Sequence, residues 1–332
     1  MAKKEISRNT DTEPASQEYS EEVTTPSGGA PEPTNIGPMG ELFAMSRGQA
    51  TDEEIKSIIQ RHVAWQLSES EVSKTYTVLF LYDSGPMIRS DADRIYKALA
   101  TANSALPIML IVSSRGGDIA AAYFIAKLCR ESTKASFEVA VPRQAKSAAT
   151  LICCGADRIH MGSLSELGPI DPQFGSVPAL ALKHSIEHIA QLAAQYPAAQ
   201  EIFSTYLSRN LDIQALGYYE RVAASAAQYA ERLLMSRSHV ATAADSASEI
   251  ANRLVYTYKD HGFAIDWREA AEIFGSSVIQ FNSLPYQAAN EVYDSLNLFE
   301  WLIGQYFNRD FSFAGSIEDG CWVRERSKVK KV

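Results

Sequence analysis

The sequence predicts an α/β fold, a parallel-sheet core followed by a helical C-terminal half. Apolar runs over 75–82, 106–112, 136–141 and 158–161 read as strands, and they alternate with stretches of helical spacing over 90–100, 118–131 and 147–154. Such alternation implies right-handed crossovers between parallel strands and a sheet buried between layers. Small residues, Gly116-Gly117 and Ser147-Ala-Ala, occupy the junctions after the second and third strands. Beyond residue 180 the strand signal gives way to apolar stripes, Leu182-Ile186-Ile189-Ala193 and Val222-Ala226-Tyr229-Leu233, with Tyr196-Pro197 as a break between them.

Residues 1–40 are rich in Glu, Ser, Thr, Pro and Gly with Tyr19 as their sole aromatic, a composition that buries too little surface to offset its ordering entropy. They are expected to be a disordered acidic tail. Residues 41–70 read as a helical lead-in, with Thr51-Asp-Glu-Glu54 as a capping signal before Ile55, Ile58 and Ile59. Ser90 is the expected cap of the helix over 90–100, and Asp266 caps a short helix through Phe274. The core domain is placed at 75–282 and a C-terminal extension at 283–332, ending in the basic run Arg324–Lys331.

The whole chain of 332 residues carries a net charge of −9, which argues against nucleic acid as a main partner. No apolar run follows Lys3-Lys4 and none reaches membrane-spanning length, so neither a signal peptide nor a membrane span is expected. Cys129, Cys153, Cys154 and Cys321 lack metal or C-x-x-C spacing and read as reduced packing residues, in keeping with a cytoplasmic protein. No cofactor or metal is expected: His184 and His188 are spaced i, i+4, but no third ligand follows.

The chemistry concentrates at the two junctions. A serine between a strand and a buried helix exposes its hydroxyl beside the unpaired N–H groups of the first turn, as suits a nucleophile; a plain N-cap serine is the alternative. The Ser113-Ser-Arg-Gly-Gly-Asp118 turn gathers backbone N–H groups as an oxyanion hole does, with a phosphate loop as the alternative, although neither G-x-x-x-x-G-K-[ST] nor a full G-x-G-x-x-G is present. In open sheets of this type functional groups collect beyond the carboxyl ends of the strands, where both junctions fall.

Several of these segments resemble a known family. Ser114-Arg-Gly-Gly-Asp-Ile-Ala-Ala-Ala122 is similar to the Gly-Gly segment of Clp-type proteolytic subunits and of signal-peptide-peptidase-A-like enzymes, and Gln144-Ala-Lys-Ser-Ala-Ala-Thr150 to their nucleophile turn. Together with Gly155–Gly162, Ser165–Gln173 and Tyr258–Asp266, they resemble the serine dehydrogenase proteinase branch of the Clp/crotonase-like superfamily over roughly 75–320. The resemblance implies a serine peptidase or related hydrolase in which Ser147 attacks a carbonyl and Gly116, Gly117 and Ala148 form the oxyanion hole. Clp-type peptidases carry their histidine base in the segment that here reads Ser165-Glu-Leu-Gly-Pro-Ile-Asp-Pro172, which has none. The signal-peptide-peptidase relatives use a lysine after the serine, and Lys183 is similar to that position. His261 with Asp260, in the segment where Clp peptidases carry their acidic member, is the alternative base system. Lys146 is expected to reach substrate or solvent.

Protein or peptide substrates and a homo-oligomer follow from the same resemblance. Aromatic residues at 218, 219, 256, 258, 299, 301, 306, 307, 311 and 313 are the expected interface material, because they exceed what one sheet face is expected to cover. Two further readings stay open, a crotonase-type acyl-thioester enzyme and a non-catalytic scaffold of the same fold.

Overall fold

The computed structural model describes residues 37–45, 50–83, 85–174, 177–178, 181–210, 213–237 and 246–326. The expected acidic tail, apart from its last residues, and the end of the basic run lie outside them. Two helices lead in, α1 (Gly37–Met45) and α2 (Asp52–Ser68), the second closed by a capping box in which Thr51 and Glu54 satisfy each other's backbone N–H groups. A single turn, α3 (Val72–Thr75), then enters the sheet.

The crossovers run β1 (Thr77–Tyr82), α4 (Arg89–Leu99), β2 (Ile108–Ser113), α5 (Ile119–Glu131), β3 (Phe137–Val141), the two-residue β4 (Gln144–Ala145), α6 (Ala148–Cys154) and β5 (Arg158–Met161). Asp118 caps α5 through the Ala120 and Ala121 N–H groups. The expected cap Ser90 lies inside α4; Ile88 precedes that helix, and its N–H is taken by the Asp91 carboxylate at 2.8 Å. Short strands β6 (Glu166–Leu167), β7 (Gln173–Phe174) and β8 (Val177–Pro178) follow. Then come α7 (Ala181–Gln195), a 3-10 turn at Pro197–Ala199, α8 (Gln200–Asn210), α9 (Ile213–Met235), α10 (Ala247–Asn252) and a π-helical turn over Arg253–Thr257. The chain continues through α11 (Trp267–Phe274), capped by Asp266 as expected, β9 (Ile279–Phe281), α12 (Leu284–Tyr306), β10 (Arg309–Gly315) and β11 (Cys321–Glu325).

The main sheet has seven strands in the order β11-β10-β1-β2-β3-β5-β9. β1, β2, β3, β5 and β9 are parallel, and β10 and β11 are antiparallel. Alternate side chains of each strand go to opposite faces. Leu79, Leu81, Leu110, Val112, Val139 and Val141 pack under α4, α5, α6 and α9, whereas Phe80, Tyr82, Met109, Ile111 and Ala140 pack under α2 and α12. Alanines Ala121, Ala122, Ala126, Ala148 and Ala149, all fully buried, let α5 and α6 sit close to the sheet.

The C-terminal residues expected as an extension belong to this body, since β10 pairs with β1 through Phe80–Gly315, Leu81–Ala314 and Tyr82–Phe313. That pairing also corrects the origin of the aromatic surplus. Phe299, Phe311 and Phe313 are fully buried beneath the second sheet face, with Phe313 stacked on Phe80 at 4.5 Å and Phe311 on Tyr82 at 5.5 Å. They cover the core rather than an interface; Tyr218, Tyr256, Trp301 and Tyr306 remain exposed. All four cysteines are buried and unpaired. Among the described residues no helix is long and apolar enough to cross a membrane.

At the amino end of β3 the buried carboxylate of Glu138 accepts from Tyr76 Oη (2.9 Å), Ser136 Oγ (2.7 Å) and Arg158 (3.0 Å), and lies 2.8 Å from His160 Nε2. Burial alone would raise its pKa. The His160 and Ser136 hydrogen bonds outweigh that and hold it down at about 2. A carboxyl held below its ordinary 4.5 stabilises the fold above pH 4.5 and loses that contribution as pH falls through about 2. Glu138→Gln is therefore expected to cost roughly 1.5–3 kcal/mol at pH 7, the deficit shrinking as the pH falls from 4.5 toward 2. Urea titrations at several pH values check this, and a deficit constant across that range would refute it.

Candidate functional site

The turns leaving β1, β2 and β3 meet at the carboxyl end of the sheet. The β3 turn is tied down on all sides. Ser114 N donates to Gln144 O and Lys146 N to Ser114 O, both at 3.0 Å, while the Thr150 hydroxyl donates to Ala145 O at 2.6 Å and accepts from Gly168 N at 3.1 Å. Within this frame Ser147 adopts φ 50°, ψ −115°, a left-handed conformation that costs a non-glycine residue on the order of 1–3 kcal/mol. It stands before α6, yet its side chain does not cap the helix.

The β2 turn presses against it. Gly116 has φ 95°, and a Cβ there would meet Lys146 O at 2.6 Å and Ala148 N at 2.9 Å, so only glycine fits. Gly117, at φ 149°, is equally closed by the Met87 backbone at 2.4 Å. Met87 pairs through Gly116 O (2.8 Å) and Asp118 N (2.9 Å), which leaves the Gly117 N–H outside the pairing. Gly116 N differs from the expectation that it serves the oxyanion, because it donates to Ser114 Oγ at 3.0 Å. Ala148, as the first residue of α6, offers an N–H that the helix leaves unpaired.

These groups open on a cleft of about 760 Å³, within the range of ligand pockets. Ser147, Gly116, Gly117 and Gln144 line one side, Pro172, Gln173 and His261 another, and Tyr82, Asp83, Tyr293, Asn297 and Glu300 the far wall. His261 thus comes to the Ser147 cleft. Its Nδ1 lies 3.6 Å from Asp171 Oδ2, and Gln173 Nε2 donates to the same oxygen at 3.3 Å. Burial raises the Asp171 carboxyl above its ordinary range against the opposing pull of His261. Asp260, the partner expected for His261, instead accepts from Gly262 N at 2.9 Å within its own turn. Asp171 was the residue missed, although it stands in the Ser165–Gln173 motif.

Lys183 is not among the residues lining this cleft. It lies in the first turn of α7, paired with Glu220 at 3.3 Å beside Tyr256 in a separate shallow depression, its side chain 42% exposed. Lys146 also departs from expectation: its side chain is only 13% exposed and turns inward to Glu166. On the far wall Tyr82 donates to Glu300. Asp83, whose carboxylate oxygens are shielded from solvent, is pushed up by burial to about 7, with the Ser114 hydroxyl pulling the other way.

Residues 82–198 match the family described as ClpP-like SDH-type serine proteinase. Two uncharacterized proteins of Methanocaldococcus jannaschii are similar to this chain. One is 39% identical over 97 residues, 29% of this chain and 34% of the relative; the other is 36% identical over 92 residues, 28% and 31% respectively. The chain spans about a third of the length of these curated relatives.

Asp83 gives the cleft a measurable energetic signature. With its folded pKa near 7, above the ordinary 3.8, the native state keeps a proton that the unfolded chain releases, so stability declines as pH rises from about 4 to about 7. Asp83→Asn, which cannot ionise, is expected to raise the melting temperature at pH 8 and to change it little at pH 4. A lower melting temperature at both pH values would contradict the assignment.

Proposed function

Starting from residues 82–198 as a segment of the ClpP-like SDH-type serine proteinase family, we propose that this protein is a serine peptidase whose nucleophile is Ser147. The observation that carries the reading is the strained, uncapped Ser147 facing a cleft it shares with His261 and the Gly117 turn. A serine hydroxyl needs a base to become nucleophilic at neutral pH. His261 is the base in this proposal and Asp171 orients it.

The reaction is acyl transfer. Ser147 Oγ attacks the peptide carbonyl while His261 takes the hydroxyl proton; the tetrahedral oxyanion lies against the Gly117 and Ala148 N–H groups. His261 then returns the proton to the leaving amine, and water attacks the acyl-enzyme by the reverse sequence. The resemblance to Clp-type peptidases gives this assignment an unusual form. The segment similar to the one that carries their histidine supplies Asp171, and the segment similar to the one with their acidic member supplies His261, so the two roles exchange places along the chain. Lys183, the base expected from the signal-peptide-peptidase relatives, is set aside because it pairs with Glu220 outside the cleft.

Peptide substrates and self-association belong to the same proposal. The material for contacts is smaller than the sequence suggested, with Tyr218, Tyr256, Trp301 and Tyr306 as the exposed aromatics after residue 200 that remain from the expected set.

Labelling with a fluorophosphonate probe tests the reading. Wild-type protein is expected to label and Ser147→Ala to be silent, His261→Ala to slow labelling roughly 100-fold or more, and Lys183→Met to label at the wild-type rate. Undiminished labelling of Ser147→Ala would reject the nucleophile. A wild-type rate in His261→Ala, with loss in Lys183→Met, would return the base to Lys183. Absence of any label on the folded wild-type protein would favour a scaffold.

A further inference from the structure

Lys146 directly precedes Ser147, and its side chain runs along Gly168 so closely that a Cβ at Gly168 would meet its Cδ at 2.5 Å. The ammonium lies 2.9 Å from Glu166 Oε2 and donates to Phe263 O at 3.1 Å and Leu167 O at 3.4 Å. Phe263 stands two residues beyond His261. Glu166 and Leu167 begin the run that reaches Asp171. One side chain rooted beside the candidate nucleophile therefore grips the segment that carries the base and the segment that carries its acidic partner.

The backbone contributes ties of another kind. Leu167 and Ile265 exchange two hydrogen bonds, at 2.9 and 3.0 Å, and β4 pairs with β6. Those ladders fix the register of the segments where they leave the sheet, whereas the Lys146 ammonium acts further out, nearer His261. Its bonds to one carboxylate and two carbonyls are charge-assisted, and hence stronger than neutral contacts.

We propose that Lys146 is a positioning residue that sets the His261–Asp171 pair against Ser147, a role that rests on the serine-peptidase reading above. Without the ammonium, Glu166 can hydrate, its side chain being 34% exposed, and the fold survives. The loop around Phe263 then loses the tie that fixes its distance from the Ser147 turn. Misplacing a general base by an ångström is enough to slow proton transfer by up to about a hundredfold.

A double-mutant cycle on the full chain tests this, with the fluorophosphonate labelling rate as readout and the melting temperature of each variant as a check on folding. Lys146→Met is expected to slow labelling roughly ten- to a hundredfold, and Lys146→Arg to recover most of the rate. Lys146→Met/His261→Ala should label no more slowly than His261→Ala alone, because a residue that acts through the base has nothing to act on once the base is gone. Effects that multiply in the double variant, or a wild-type rate in Lys146→Met, would overturn the proposal. If Lys146→Met does not fold, Glu166→Gln, which weakens the ammonium's anchorage alone, takes its place in the same cycle. A wild-type rate in His261→Ala would remove the base assignment and this role with it, while label that survives Ser147→Ala would reject the peptidase reading itself.

Discussion

The close approach of Gly116 to the Ser147 turn is the constraint on which the rest of the site depends. At that point the backbones of the β2 and β3 turns are in contact, with no room for a side chain between them. Contact at this range sets Ala148 N, the first N–H of α6, against Gly116, next to Ser147 in its positive-φ conformation. Neither arrangement would persist in an isolated loop. The strain is borne by a frame in which Ser114, Lys146, Thr150 and Gly168 bond one another across three segments, and by α6, every residue of which is buried.

From that contact the cleft grows outward. The turns of β2 and β3 form its floor. The Pro172–Gln173 and His261 segments form one wall, attached through β6 and the Leu167–Ile265 pairing. The opposite wall is contributed by α12 and by the end of β1, where two acidic groups, Asp83 and Glu300, flank Tyr82. Burial of the Asp83 carboxyl costs stability that the hydrophobic faces of the sheet offset, a common arrangement where binding or catalysis competes with folding.

The two junctions were legible because their chemistry is local: a strand, a tight turn of small residues and a helix follow one another within a dozen residues, and each leaves a pattern. The proposed acid–base pair was not legible in the same way. His261 and Asp171 are brought together by a strand pairing between distant segments, and nothing around either residue announces it. The resemblance pointed to both segments but with the histidine and the acid in the opposite places. Lys183 was chosen by its distance along the chain, and its observed partner, Glu220, lies on another helix. On the fold side, α12 is not picked out in the sequence reading, although Ala289, Val292, Leu296, Phe299 and Ile303 recur at helical spacing along one buried face. The aromatics of β10 were read as surface because the second face of the sheet, the one they cover, had not been assigned any helices.

The pairing of β10 with β1 also sets an order of assembly. β1 is among the first strands to be synthesised and β10 among the last, so β1 remains an open edge while most of the chain is being made, and loops closed over such separations form late. The strained serine turn can form as soon as β2, β3 and α6 are present. The wall that carries Tyr293, Asn297 and Glu300 arrives only with α12. The proposed nucleophile is thus positioned well before the cavity around it is complete, so during synthesis the strained turn precedes the enclosure it would serve.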